Sequence, residues 1–208
     1  MQDKKSILEP DGVYHIYNRA NGNELLFVDP ENYRFFLEKY KQYVSPVVDT
    51  LSYCLMPNHF HFLVRVKGDD QLIGTFPKFA ASIEPNLQGF RNLEGFISQQ
   101  FSNLFNAYAK AFNKKYSRKR NLFMHTFKRK KVTNEKYLLK LIHYIHYNPV
   151  EADMVEKPEE WKFSSYKAIL SQKESLIERE EVISLFGDIN NFLHCHTQEP
   201  LISGMEDY

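Results

Sequence analysis

The chain has 208 residues, 27 Lys or Arg against 26 Asp or Glu, and a formal net charge of +1. Its 43% hydrophobic and 15% aromatic content suffices for a packed core and excludes wholesale disorder. No window of about 18 apolar residues is present, so no membrane span is expected, and MQDKKSILEPDG has no apolar stretch of the kind a secretory leader needs. Two cysteines, Cys54 and Cys195, are too few for a disulfide framework or a four-thiolate metal site. The composition reads as that of a cytoplasmic protein in a reducing compartment.

Taken in chain order, residues 12–18, GVYHIYN, alternate and are rich in Tyr, Val and Ile, which predicts a strand. Asp29 is a suitable N-cap for a helix with Pro30 at its first position. Tyr33, Phe36, Leu37, Tyr40 and Val44 recur there at helical spacing, and Ser45-Pro46 ends it. Residues 47–55 and 60–66 read as two strands turned at Pro57-Asn58. Residues 68–94 hold much of the Gly and Pro punctuation and predict short helices and loops. A second helix is expected over 96–115, with Phe101, Leu104, Phe105, Tyr108 and Phe112 on one face. Lys128 to Val132 reads as a further strand. Thr133 or Asn134 caps a third helix from Lys136 to about Tyr147, which Pro149 ends. A Ser-Ser-Tyr turn and an acidic, helical tail follow Trp161. The order predicts an α+β fold, a ferredoxin-like antiparallel sheet with helices on one face, over 1–170, followed by an acidic extension over 171–208.

The near-zero net charge hides an uneven distribution. Residues 110–131 carry ten Lys or Arg and no Asp or Glu, interleaved with Phe112, Tyr116, Phe123 and Phe127. Such a block is the footprint of phosphate contact, with rings available for base stacking. It is also what a solvated basic loop looks like. Arg118, Arg120, Lys128, Arg129, Lys130 and Lys131 are the candidate nucleic-acid contacts, and His125 lies among them.

PNHFHFLVRV places His59 and His61 on one face of a strand, with Phe60 and Phe62 on the other. Two imidazoles side by side supply two ligands of a divalent metal, or are two surface histidines. A metal site needs at least one more donor from elsewhere. In LIHYIHYNPV, Tyr144 and Asn148 are spaced i, i+4 and share a helix face. The Asn148 oxygen is then a possible third donor that brings the Tyr144 hydroxyl beside the metal. The alternative is a core tyrosine and a helix-ending asparagine.

PNHFHFLV resembles the HUH motif (histidine, bulky apolar residue, histidine) of single-tyrosine transposases. YIHYNPVEADMV followed by PEEWKFSSYKA resembles the signature around and after the nucleophile of REP-associated tyrosine transposases. LFMHTFKRKKV and YHIYNRANGNELLFVD are similar to that family's segment before the catalytic helix and to its first strand and turn. The match runs in order from about residue 12 to about 169. The resemblance implies that His59 and His61 are metal ligands. Tyr144 would be the nucleophile that forms a 5′-phosphotyrosine and leaves a free 3′-hydroxyl. Asn148, where related members carry a Gln, would be the third ligand. It also implies Mg²⁺ or Mn²⁺, single-stranded DNA with hairpin-bearing ends as substrate, a possible homodimer, and a ferredoxin-like sheet. The chain departs from the pattern in the long segment from Gly68 to Glu94, in the acidic tail, and in His143 before the tyrosine.

Other residues compete for these roles. Tyr108 lies on an apolar helix face and reads as core; Tyr147 has only Glu151 one turn on, beyond the proline. Of Tyr14 and Tyr17, one faces the core. His143 and His146 read as structural or DNA-contacting, and Cys54 as an inert apolar residue. Three functions remain open. They are a metal-dependent DNA strand transferase, a non-catalytic DNA-binding regulator derived from one, and a metallohydrolase that uses the histidines with water.

Overall fold

The computed structural model describes residues 6–76, 87–124 and 126–201, with backbone alone for 87–92. Its elements are β1 (Val13–Arg19), α1 (Pro30–Tyr43), β2 (Val48–Met56), β3 (His59–Val66), α2 (Asp69–Thr75), α3 (Leu87–Lys115), β4 (Lys128–Val132) and α4 (Glu135–Glu151). A 3₁₀ turn at Pro158–Glu160 follows, then α5 (Tyr166–Leu170), α6 (Arg179–Leu185) and α7 (Ile189–Cys195).

The four strands form one antiparallel sheet in the order β2-β3-β1-β4. This is the split order of a ferredoxin-like βαββαβ path, with β1 and β3 as the central pair. The Pro57-Asn58 turn joins β2 to β3, and its Asn58 and Pro57 carbonyls accept from Ala20 N and from Leu26 and Phe27 N. The tip of the hairpin is thereby tied to the loop that follows β1.

The helices divide between the two faces of the sheet instead of gathering on one. Phe60, Phe62, Val64, Tyr14 and Ile16 pack on one face against Phe36 and Tyr40 of α1 and Phe101, Leu104 and Tyr108 of α3. On the opposite face, Leu51, Cys54 and Leu63 pack against Leu141, Ile142, Tyr144 and Ile145 of α4. Strand alternation separates these two sets.

Asp29 accepts from Asn32 N at 3.0 Å, and the Asn32 amide oxygen returns to Asp29 N, so α1 begins with a closed capping box behind Pro30. Helix α3 begins at Leu87, not at 96. Leu93 and Ile97 extend the apolar stripe of Phe101 and Leu104 backwards, and packing outweighs the cost of Gly95. Asn134 caps α4 by accepting from Tyr137 N. Helix α4 also runs past Pro149 to Glu151, because a proline near the C-terminal end removes only one interior bond. Asp153 at φ 53° and the bond from Met154 N to Pro149 O then turn the chain away.

The described part of the tail packs on the α4 side. Ile177, Val182 and Phe192 join the core around α4. Ser165 N donates to Tyr53 O, Leu55 N to Phe163 O, and Glu178 N to Thr50 O, which covers the outer edge of β2. No helix among the described residues is long and apolar enough to cross a membrane.

Candidate active site between the sheet and the fourth helix

The site grows from the central strands. Register pairs Tyr17 with His61, and Lys128 and Lys130 of β4 with Tyr17 and His15. Paired residues share a face, so His15, Tyr17, His59, His61, Lys128 and Lys130 all lie on the α4 side of the sheet. Helix α4 crosses above them with Tyr144 and Asn148 one turn apart.

Three of the sequence-predicted residues meet directly around His59. His59 Nε2 is 3.1 Å from Asn148 Oδ1, and the His59 and His61 rings lie 5.1 Å apart, edge to face. The ring of Tyr144 meets that of His61 edge-on with centroids 5.8 Å apart. Asn148 Nδ2 donates to Tyr144 O at 3.4 Å, which holds its oxygen toward the histidine. On the other side of the ring, Asn58 Oδ1 lies 2.7 Å from His59 Nδ1. Tyr144 is 4% exposed and His61 is fully buried.

The site favours uncharged imidazoles. Burial lowers the His61 pKa well below its usual value, and the neighbouring His15 and His59 add to the effect. His59 is lowered by burial, opposed by its hydrogen bond to Asn148. A neutral ring keeps one lone pair, which is the form that binds metals. Among the described residues, no three His, Cys, Asp or Glu side chains gather as a metal site. The Asn148 oxygen beside His59 is a donor of another kind with suitable chemistry.

Sequence reasoning missed His15. Its Nε2 lies 2.8 Å from His61 Nδ1, and its ring stacks on Tyr17 with centroids 4.6 Å apart. Burial, aided by the charge of Lys130, brings its pKa down to about 3. The alternation in GVYHIYN puts His15 and Tyr17 on one face, but only the strand register shows that this face is the one carrying His61.

The six basic candidates separate into two groups. Lys128 is exposed with its Nζ 5.7 Å over the Tyr17 ring, and Lys130 Nζ is 5.4 Å over the Tyr137 ring of α4. Both border the site. Arg120 is exposed in the loop before β4. Arg129 points to the opposite face, where it binds Glu94 at 2.9 Å and Ser98 at 2.6 Å and is only 9% exposed. Lys131 pairs with Glu9, and Arg118 with Glu24 and Asn113. His125 lies outside the described residues.

The remaining polar candidates are structural. His146 Nδ1 is 2.9 Å from His196 Nε2, and its Nε2 is 2.7 Å from Ser165 Oγ. His143 Nε2 is 2.9 Å from Gln198 O. Both thus tie α4 to the tail, and through Ser165, which also bonds the Tyr53 backbone, His146 ties it to the edge of β2. Tyr147 does share a turn with Glu151 now that α4 continues through the proline, yet its ring lies against His143 and not against the strand histidines. Tyr14 is the first-strand tyrosine that faces the core, and its hydroxyl donates to Ile7 O at 2.5 Å. Tyr108 is core as expected, with its hydroxyl on Leu26 O. Burial pushes the Cys54 thiol far up, as an inert position requires.

Two comparisons with known proteins bear on the fold and on the sequence around it. The chain is 26% identical over 121 residues to a protein of Haemophilus influenzae named a REP-associated tyrosine transposase, a match covering 57% of the chain and 58% of the relative. It thus spans little more than half the length of that relative. The fold also matches the solved structure of a REP-associated tyrosine transposase bound to a REP hairpin, with a TM-score of 0.58 and 13% identity. That match covers 83% of this chain and 87% of the other. No family model matches the chain.

Proposed function

We propose that the protein is a metal-dependent single-tyrosine DNA strand transferase. The observation that carries this reading is the meeting of His59, His61, Tyr144 and Asn148, from two distant parts of the chain, in one small site. The resemblance to REP-associated tyrosine transposases supports DNA as substrate, and the REP hairpin bound by the solved neighbour supports a hairpin-bearing end, read here as single-stranded DNA.

Two neutral imidazoles and an amide oxygen form a hard-to-intermediate donor set that suits a divalent ion. Imidazole would also accept zinc, and the choice of Mg²⁺ or Mn²⁺ rests on the resemblance. His59 Nε2 and Asn148 Oδ1 are 3.1 Å apart. His59, His61 and Asn148 would hold Mg²⁺ or Mn²⁺ and leave positions for water and phosphate oxygens. Bound there, the ion would polarise the phosphate and stabilise the charge that develops on it.

The chain's own groups do the rest. Tyr144 Oη attacks the phosphorus of a DNA phosphodiester, and the bond from phosphorus to the 3′-oxygen breaks. The phenol loses its proton and the departing 3′-oxygen gains one through solvent. A 5′-phosphotyrosine and a free 3′-hydroxyl remain. One phosphodiester is exchanged for another, so a 3′-hydroxyl can reverse the step without a nucleotide cofactor. Lys128 and Lys130, beside the site, contact backbone phosphates.

A single-stranded oligonucleotide incubated with the protein and Mn²⁺ is expected to yield a denaturation-resistant protein–DNA adduct. Tyr144→Phe should abolish the adduct and leave DNA affinity within about threefold. An adduct persisting in Tyr144→Phe would overturn the assignment. Salt-sensitive binding with neither adduct nor metal requirement would instead identify a non-catalytic regulator, and hydrolysis surviving the loss of Tyr144 a metallohydrolase.

A further inference from the structure

His15 and His61 meet nitrogen to nitrogen at 2.8 Å, and nothing in the proposed chemistry uses His15 directly. His15 stands on β1 one strand over from His61, and the rings of His15, Tyr17 and His61 form a triangle with centroids 4.6, 5.1 and 6.1 Å apart. Both imidazoles are buried. The contact engages Nδ1 of His61, so ligation of a cation by His61 would fall to its Nε2.

We propose that His15 is a positioning residue of the metal centre, which accepts the Nδ1 proton of His61 and so presents His61 Nε2 to the cation. The inference rests on the metal-dependent reading of the site. Its logic is proton bookkeeping. A neutral imidazole carries one proton on one of its two nitrogens. When Nε2 gives its lone pair to a metal, the proton sits on Nδ1 and, in a buried ring, needs an acceptor from the protein. His15 Nε2, at 2.8 Å, is that acceptor, which puts the proton of His15 on its own Nδ1. A ligating histidine held through its second nitrogen is a general feature of metal centres, and loss of such a partner typically weakens metal binding 10- to 100-fold. Carboxylates and carbonyls commonly fill this role; here a second histidine does, locked in plane by Tyr17.

The test uses Mn²⁺ alone, with binding followed by electron paramagnetic resonance on the full chain. His15→Leu removes the acceptor and should weaken Mn²⁺ binding at least about 10-fold. His15→Gln, whose amide oxygen can still accept, should bind within about threefold of the natural protein. Melting temperatures of both variants separate this effect from unfolding. If His15→Leu binds Mn²⁺ as well as the natural protein, or if Leu and Gln weaken it equally, the positioning role is wrong and the metal site stands. If the natural protein binds no Mn²⁺, the metal-dependent reading fails and the inference falls with it. Nitrogen-15 NMR of the Mg²⁺-loaded natural protein gives a check that needs no variant: His61 should be protonated on Nδ1, and protonation on Nε2 would overturn the proposal.

Discussion

The two faces of the sheet come from the same strands and have opposite characters. On the α1/α3 face, Phe36, Phe60, Phe62 and Tyr40 form a continuous aromatic layer, with Tyr40 stacked on Phe62 at 4.4 Å. On the α4 face, the alternate residues of those strands are His15, Tyr17, His59 and His61, and helix α4 adds Tyr144 and Asn148. One face is apolar at its centre. The other sets beside its own apolar cluster around Leu63 and Ile145 a group of buried polar side chains that gain little for stability, since each must recover its lost hydration through a hydrogen bond. Adjacent positions on one strand, such as His61 and Phe62, should therefore fail in different ways when altered.

The largest effect should separate the two faces cleanly. His61→Ala should reduce covalent adduct formation at least about 100-fold, by analogy with loss of any ligand from a sparse shell, while leaving a folded protein. Phe62→Ala should cost about 3–5 kcal/mol of stability through the cavity it leaves, seen as a fall in melting temperature. The adduct formed by the fraction still folded should keep its natural rate. Equal loss of activity per folded molecule in both variants would erase the distinction.

A smaller effect concerns the tail behind α4. His196 is buried, and burial brings its pKa down to about 3, opposed by its bond to Phe192 O. The unfolded chain binds a proton near pH 6.5 that the folded chain refuses. Stability is therefore full above about pH 6.5 and declines as the pH falls from there toward about 3. The slope is about 1.4 kcal/mol per pH unit for each such histidine, and His15 should contribute in the same sense. Urea unfolding at a series of pH values measures the slope, and His196→Gln should remove one histidine's share. A profile flat down to pH 4 would contradict the burial of both.

The smallest effect divides the basic strand. Lys128→Ala with Lys130→Ala should weaken DNA binding and lower the salt slope by about one for each phosphate left without its lysine. Arg129→Ala, on the other face, should leave that slope unchanged and cost about 1–3 kcal/mol of stability by leaving Glu94 unpaired. A salt slope that responds equally to all three would mean that DNA, and not strand alternation, decides which side chains are exposed.

Much of this was legible in the sequence wherever local chemistry decides. Asp29-Pro30 announces the start of α1, Pro57-Asn58 the hairpin, and the His-Phe-His-Phe alternation the two faces of β3. The i, i+4 spacing of Tyr144 and Asn148 gives their shared face on α4. What could not be read depends on pairing across the chain. His15 acquires meaning only when β1 lies beside β3 in a particular register, and Arg129 is withdrawn from the basic patch only because α3 brings Glu94 beneath it. The start of α3 at Leu87 and the passage of α4 through Pro149 were hidden because glycine and proline are read as stops, although burial of a long apolar stripe overrides them. The tail reads as an acidic extension, yet Ile177, Val182 and Phe192 give it an apolar inner side that packs on α4.

The central claim is that the hydroxyl beside the paired histidines becomes bonded to DNA. It is tested most directly by trapping the adduct of the natural protein with a single-stranded oligonucleotide and Mn²⁺, digesting it, and locating the modified residue by mass spectrometry. The account predicts a 5′-phosphonucleotide on Tyr144. A nucleotide on Tyr147 or any other side chain, or cleaved DNA with no modified residue, would contradict it.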